Sequence, residues 1–198
     1  MDGMDNLLTV VGQILHIGLN VYLWIIVIGA LISWVNPDPF NPVVRFLRRV
    51  TDPLFFWLRR NIPLIVSGID FSPVIAIVLI TFIDNAFVPS LMEGGNVVPN
   101  FLIGTGQSIM MLLNFYFMIV IIAAVISFVN PNPYNPIVRI LSSVTEPVFS
   151  WFRRRLPLVF GGIDLSPALV IVIILLLNSL VSHSLIQMGL NLKLKGGL

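Results

Sequence analysis

The chain has no cysteine and only two histidines among its 198 residues. Disulfides, thiolate metal sites and cysteine nucleophiles are thereby excluded, and little is left from which to build a metal centre. Charge is scarce too: 10% of residues are Asp, Glu, Lys or Arg, against 57% apolar. That is more apolar surface than a chain of this length can bury in water, so a bilayer is the expected surrounding. The positive charge is also confined. All nine arginines lie within residues 45–60 and 139–155, and both lysines lie in the last six residues. This placement suits anionic lipid headgroups at an inner leaflet, and no nucleic-acid partner is expected. The opening MDGMDNLL carries Asp2 and Asp5 without a basic residue, and the apolar run after it is about twice a signal-peptide core, so it reads as a retained membrane span. Lipidation signals of the usual kinds are lacking.

What the chain does contain is a repeat. Residues 33–73, SWVNPDPFNPVVRFLRRVTDPLFFWLRRNIPLIVSGIDFSP, return without a gap at residues 127–167, an offset of 94, with 24 of the 41 positions identical. The register extends upstream, where Gly12-Gln13 matches Gly106-Gln107, Asn20 matches Asn114 and Tyr22 matches Tyr116. One unit is used twice.

Four apolar stretches, 7–35, 73–91, 101–129 and 167–190, reach or approach the roughly 20 residues that a helical span needs. Pro89 is expected to cut the second after 16 helical positions. The repeats are read as 7–91 and 101–190 with an external link at 92–100. Arginines occur in both within-repeat connectors and not in that link, so the positive-inside bias puts the connectors in the cytoplasm and both termini in the periplasm. Two passes per repeat make the halves parallel, not inverted. Lys193 and Lys195 fit this topology less well than the acidic start does.

Each connector is expected to hold two short helices. Asn41-Pro42 and Asn135-Pro136 supply a cap residue followed by a first-turn proline, and Thr51-Asp52-Pro53 and Thr145-Glu146-Pro147 are expected to open a second helix in the same way. Arg45, Arg48, Arg49 and Asp52 form one polar stripe at helical spacing, as on an interfacial helix. Arg59 and Arg60, like Arg139, Arg153, Arg154 and Arg155, complete a surface for anionic lipid or a partner. Three prolines in Asn36 to Arg45, and again in Asn130 to Arg139, stiffen the corner before each connector. Asp70 and Asp164 precede Ser72-Pro73 and Ser166-Pro167, where a carboxylate complements the helix dipole.

Within the spans Asp84 is the clearest ionisable group, with Asn85 beside it and Thr81 on the same face. Its repeat mate is Asn178. Two readings stand: an ion or proton site formed with Asn20, Asn114 and Asn178, or a carboxylic acid hydrogen-bonded between helices near the outer surface. Gln13 with Asn20 and Gln107 with Asn114 recur seven residues apart and read as hydrogen-bonding glue between helices. His16 and His183 would admit a haem, but they are not repeat mates and no glycine pattern lets a porphyrin approach. No cofactor and no metal is expected. No phosphate-binding glycine loop, nucleophile elbow or zinc spacing is present, so an enzyme is not expected.

The order NP, R, T(D/E)P, RR..P, GIDxSP, twice over, resembles the YggT family of bacterial membrane proteins in its two-repeat, Gram-negative form. The resemblance covers about residues 7 to 190. Its best-matching positions are Asn41, Pro42, Pro53, Arg59, Arg60, Pro63, Asp70 and Ser72, with Asn135, Pro136, Pro147, Arg153, Arg154, Pro157, Asp164 and Ser166. It implies a small inner-membrane protein without established catalysis. Bacterial members are associated with osmotic-stress tolerance and potassium uptake, and Gram-positive and plastid relatives with cell division, nucleoid placement and assembly of a membrane cytochrome.

The expected fold is thus an all-α integral membrane protein of four transmembrane helices in two parallel tandem repeats, each with short amphipathic interfacial helices between its spans. The expected role is that of a non-enzymatic scaffold or assembly factor for an unidentified membrane-protein partner, supporting envelope and osmotic-stress homeostasis. The alternative is a small potassium or proton channel or transporter around Asp84. Four helices make a narrow bundle, so that alternative calls for a homo-oligomer.

Overall fold

A computed structural model describes residues 2–34, 38–66, 69–93, 96–128, 135–160 and 163–196. The glycine pairs at 94–95 and 161–162, and most of the proline corner before each connector (35–37 and 129–134), lie outside the described residues.

Helix α1 (Asp2–Trp34) leads to α2 (Pro42–Asn61), then to two-residue strands β1 (Ile65–Val66) and β2 (Ile69–Asp70). Next come α3 (Ser72–Ala86), α4 (Val88–Glu93) and α5 (Val97–Phe128). The second half repeats the order with α6 (Pro136–Arg153), β3 (Val159–Phe160), β4 (Ile163–Asp164) and α7 (Ser166–Leu177). A π-helical segment (Asn178–His183) and α8 (Ser184–Gly196) follow. The strands form minimal hairpins; in the second, Val159 faces Asp164 and Phe160 faces Ile163. Everything of membrane length is helical. Four helical segments are long and apolar enough to cross a bilayer: Asn6–Ile32, Ser72–Glu93, Val97–Ile126 and Ser166–Gly196.

Two compact units emerge: Met1–Ile65 with Asp70–Ser108 and Ser184–Leu198, and Val66–Ile69 with Ile109–His183. In the first, Ile26, Phe55, Leu58, Leu64, Ala76 and Ile80 are buried together, flanked by Leu19, Tyr22, Leu23 and Leu54. In the second, Val120, Phe149, Val170 and Ile174 are buried, flanked by Leu113, Tyr116, Phe117, Val148 and Phe152. Ile26 and Val120, Phe55 and Phe149, Ala76 and Val170, and Ile80 and Ile174 each stand 94 residues apart. The duplicated sequence therefore builds the same core twice.

Two expectations need correction. The connectors hold one helix each, not two. α2 runs through Pro53 and α6 through Pro147. The reason is phase: Val44, Leu47, Thr51, Phe55 and Leu58 lie buried on one continuous face across the proline, and that burial outweighs one missing backbone donor. Two side-chain hydrogen bonds add to this stretch of the helix. Thr51 Oγ1 donates to Leu47 O at 3.0 Å, and Tyr22 Oη donates to Val50 O at 3.2 Å. Nor does Pro89 end the second span. It is the second residue of α4, where a helix needs no N–H donor, and Leu91 N resumes the ladder to Phe87 O at 3.1 Å. The span thus reaches Glu93, 22 residues in all. The fourth span likewise passes Leu190 and continues to Gly196.

Candidate functional site

Both repeats tie the end of the connector helix to the start of the second span in the same way. Asp70 Oδ1 accepts from Ser72 N at 2.9 Å, while its Oδ2 lies 2.8 Å from Arg59 Nη2. Ninety-four residues on, Asp164 Oδ1 accepts from Ser166 N at 2.8 Å and its Oδ2 accepts from Arg153 Nη1 at 2.7 Å, with Glu146 on the other guanidinium nitrogen. The hairpin between them is closed by Phe71 N to Leu64 O and Leu165 N to Leu158 O, both 2.9 Å. Partial burial works against the Asp164 charge, but the hydrogen bonds with Ser166 and the Arg153 guanidinium outweigh it and hold the carboxyl below the ordinary carboxylate range. Arg59 and Arg153 are thus committed to internal carboxylates, which sequence spacing alone did not reveal.

The other arginines stay outside. Arg45, Arg48, Arg49 and Arg60 on α2 are exposed, as are Arg139, Arg154 and Arg155 in the second repeat. Asn41 caps α2 by accepting from Val43 N, and Asn135 caps α6 by accepting from Ile137 N, both at 2.9 Å. Pro42, Arg45, Phe46 and Arg49 line an open groove of about 290 Å³. Phe46, Phe56 and Trp57 are exposed on the same helix, and the Arg155 guanidinium lies 3.9 Å over the Trp151 ring.

Deeper in the first unit, Asp84 of α3 meets α1. His16 Nδ1 lies 2.8 Å from Asp84 Oδ1, and Asn20 Nδ2 donates to Asp84 Oδ2 at 3.3 Å and to His16 O at 3.0 Å. The Asp84 side chain is 14% exposed and that of His16 57%. Because the span continues to Glu93, Asp84 stands roughly 18 Å from Ser72 and 14 Å from Glu93 along the helix, well away from either end. In the second unit Asn178 Nδ2 donates to Asn114 Oδ1 at 2.9 Å. Ser182 Oγ donates to Asn178 Oδ1 at 3.3 Å, and His183 Nδ1 sits 2.7 Å from Asn178 O within the π turn. Of the five residues expected to form one ion site, Asp84 and Asn20 thus pair in the first unit, and Asn178 and Asn114 pair at the equivalent positions of the second. Among the described residues the first pair's contacts are with His16, not with Asn85 or Thr81. Nor do the glutamines join: Gln13 is exposed, and the Gln107 carbonyl is buried without a partner among the described residues.

Sequence reasoning gave His16 no role at this site and passed over a further cluster. Lys193 of α8 donates to Glu93 Oε1 at 2.6 Å and to Asn100 Oδ1 at 3.4 Å, while Asn100 Nδ2 donates to Glu93 Oε2 and Ser90 Oγ, each at 3.2 Å. Asn100 is 4% exposed. This contact occupies Lys193, the basic residue that sat awkwardly with an outward-facing terminus. Among the described residues no group of three His, Cys, Asp or Glu could hold a metal ion.

The chain is 31% identical to an uncharacterized protein of Pseudomonas aeruginosa over 85% of its own length and 86% of the relative's. It is 27% identical to the uncharacterized protein YggT of Escherichia coli over 90% and 92%, and 30% identical to an uncharacterized protein of Haemophilus influenzae over 81% and 85%. No solved structure matches it. The model of the CCB3/YggT family matches twice, at residues 8–91 and 102–185. With one family match in each half of the 94-residue duplication, and four helices able to cross a bilayer, the chain belongs to the CCB3/YggT family and is a multi-pass membrane protein.

Proposed function

We propose that this protein is a non-enzymatic scaffold of the inner membrane, whose arginine-bearing helices α2 and α6 hold anionic lipid headgroups at the cytoplasmic surface and dock a membrane-protein partner. Its physiological role on this reading is support of the envelope under osmotic stress. The observation that carries the proposal is the division of labour on α2. One face is buried at Val44, Leu47, Thr51, Phe55 and Leu58, while Arg45, Arg48 and Arg49 remain exposed beside the Phe46 groove. A helix so divided lies along an interface, with aromatic rings at headgroup depth and guanidinium groups on phosphate. The positive-inside bias then assigns the connectors to the cytoplasm and both termini to the periplasm. The test is lipid retention by detergent-purified protein. Anionic phosphatidylglycerol should be retained over phosphatidylcholine, several-fold less so in R45Q/R48Q/R49Q, and equal retention of the two lipids would sink the proposal. A photo-crosslinker at the exposed Phe46 then reports the partner in cells.

A second reading is favoured by the contact of Asp84 with His16 and Asn20: an ion site in the first unit, serving transport in a homo-oligomer. Flux of potassium and of protons into liposomes, for the native chain and Asp84→Asn, tests it. No flux from folded protein removes it.

A further inference from the structure

We propose that the His16–Asp84 pair, held by Asn20, is a proton-binding site within the first unit's membrane-spanning helices, and that its ligand is a proton and not a metal cation. The proposal rests on the second reading only in placing the centre at Asp84.

The donor set argues against a metal. Both carboxylate oxygens already face N–H groups, His16 Nδ1 on Oδ1 and Asn20 Nδ2 on Oδ2. The Asn20 amide is oriented by chemistry, because its nitrogen also reaches the His16 carbonyl oxygen, an acceptor. Its NH₂ therefore points at the carboxylate and its own oxygen does not join a ligand shell. A hard cation the size of Ca²⁺ needs six to eight oxygens, and here one carboxylate stands with each oxygen already facing an N–H group.

A proton fits the same geometry. With Nδ1–H donating to Asp84, His16 Nε2 carries the lone pair that a proton would take, and Asn20 Nδ2 lies 3.4 Å from it. Uptake of one proton at Nε2 turns imidazole plus carboxylate, net −1, into imidazolium plus carboxylate, net zero; no other bond forms or breaks. The protonated pair is neutral overall, whereas the unprotonated pair leaves the carboxylate charge uncompensated in an apolar span.

Of the unit's other titratable groups, Asp2 and Asp5 stand at the start of α1, the Tyr22 hydroxyl donates to Val50 O, and Asp70 pairs with Arg59. Glu93 of α4 is engaged by Lys193 of α8. Lys195 lies beyond it on α8, the part of α5 in this unit, Val97–Ser108, has no titratable side chain, and α2 contributes its arginines and Asp52. The second repeat supplies the contrast. Asn178 and Asn114 occupy the positions of Asp84 and Asn20, Met110 that of His16, and the two amides hydrogen-bond at 2.9 Å. Helix-to-helix adhesion needs no more than that neutral pair. The first repeat places an ionisable pair at the same address.

The test is a histidine titration by ¹⁵N NMR on full-length protein in nanodiscs, between pH 5 and 9. Two histidines are present, and His183→Gln assigns the signals. The expected result is a reversible pH-dependent His16 signal, absent from His16→Gln, displaced in Asp84→Asn, and unchanged when potassium chloride replaces choline chloride. A His16 signal that does not titrate, that titrates identically in Asp84→Asn, or that potassium displaces overturns the proposal. Size-exclusion profiles establish that each variant is folded, and Asp84→Asn alone suffices if His16→Gln is not. Flux separates the two readings. Titration without flux keeps the proton site and removes transport, whereas flux that depends on Asp84 without titration removes the proton site and keeps transport.

Discussion

Arg153 donates to Asp164 Oδ2 at 2.7 Å while the other oxygen of the same carboxylate receives Ser166 N. One side chain thereby joins the last turn of a connector helix to the first turn of a span. Asp164→Asn keeps the cap oxygen and loses the charge, and should destabilise the protein by about 1–2 kcal/mol at neutral pH. The pH dependence has a definite sign. The folded carboxyl titrates below its ordinary range, so the contribution is full above the unfolded-state value and is lost as pH falls through the folded one. Thermal melts of native and Asp164→Asn protein in detergent should differ at pH 7 and converge in acid.

Helix starts offer a second measurement. Asn41 and Asn135 each accept from the backbone two residues on. Asn41→Ala and Asn135→Ala should each cost about 1 kcal/mol, read as a lowered melting temperature, and their effects should add because the caps share no partner.

Close helix contacts set apart glycines that look alike in sequence. A Cβ on Gly104 would lie 2.7 Å from the Ala86 Cβ and 2.9 Å from its backbone N, and one on Gly189 would lie 2.6 Å from Pro99 O. Nothing lies within 4 Å of the same position on Gly18. Gly104→Val should cost about 1–3 kcal/mol, whereas Gly18→Ala should leave the midpoint of thermal aggregation unchanged or slightly raised.

The Lys193 cluster should divide unequally. Lys193 and Glu93 are 41% and 44% exposed, so Lys193→Gln should cost well under 1 kcal/mol. Asn100 is buried and bridges Ser90 and Glu93, so Asn100→Leu should cost more, about 1–3 kcal/mol. A double-mutant cycle in detergent-unfolding experiments separates the two contributions.

How much was legible in the sequence depended on whether the signal repeated. Span positions follow from uninterrupted apolar runs, and cap residues from Asn-Pro at a connector's start. The doubled core follows once the 94-residue offset is seen. Pro53 misled because Thr-Asp-Pro resembles a helix start; the decisive cue was the unbroken 44, 47, 51, 55, 58 face, which a second helix would have reset. His16 was missed as a partner of Asp84 because its repeat mate is Met110, although His16 and Asn20 are one turn apart on the same face. Glu93 and Lys193 are 100 residues apart, and only folding brings such a pair together.

In both repeats the second span is irregular just past its polar residue. In the first, α3 stops at Ala86 and α4 restarts at Val88 around Pro89; in the second, the π turn opens at Asn178 and ends at His183, the residue aligned with Pro89. Two unlike chemistries, a ring without an N–H and a widened helical turn, have settled on one address. What the two repeats share there is an interruption of the regular α-helix, not a residue. Pro89 and the π turn at Asn178–His183 are thus two sequence routes to the same break in helical regularity.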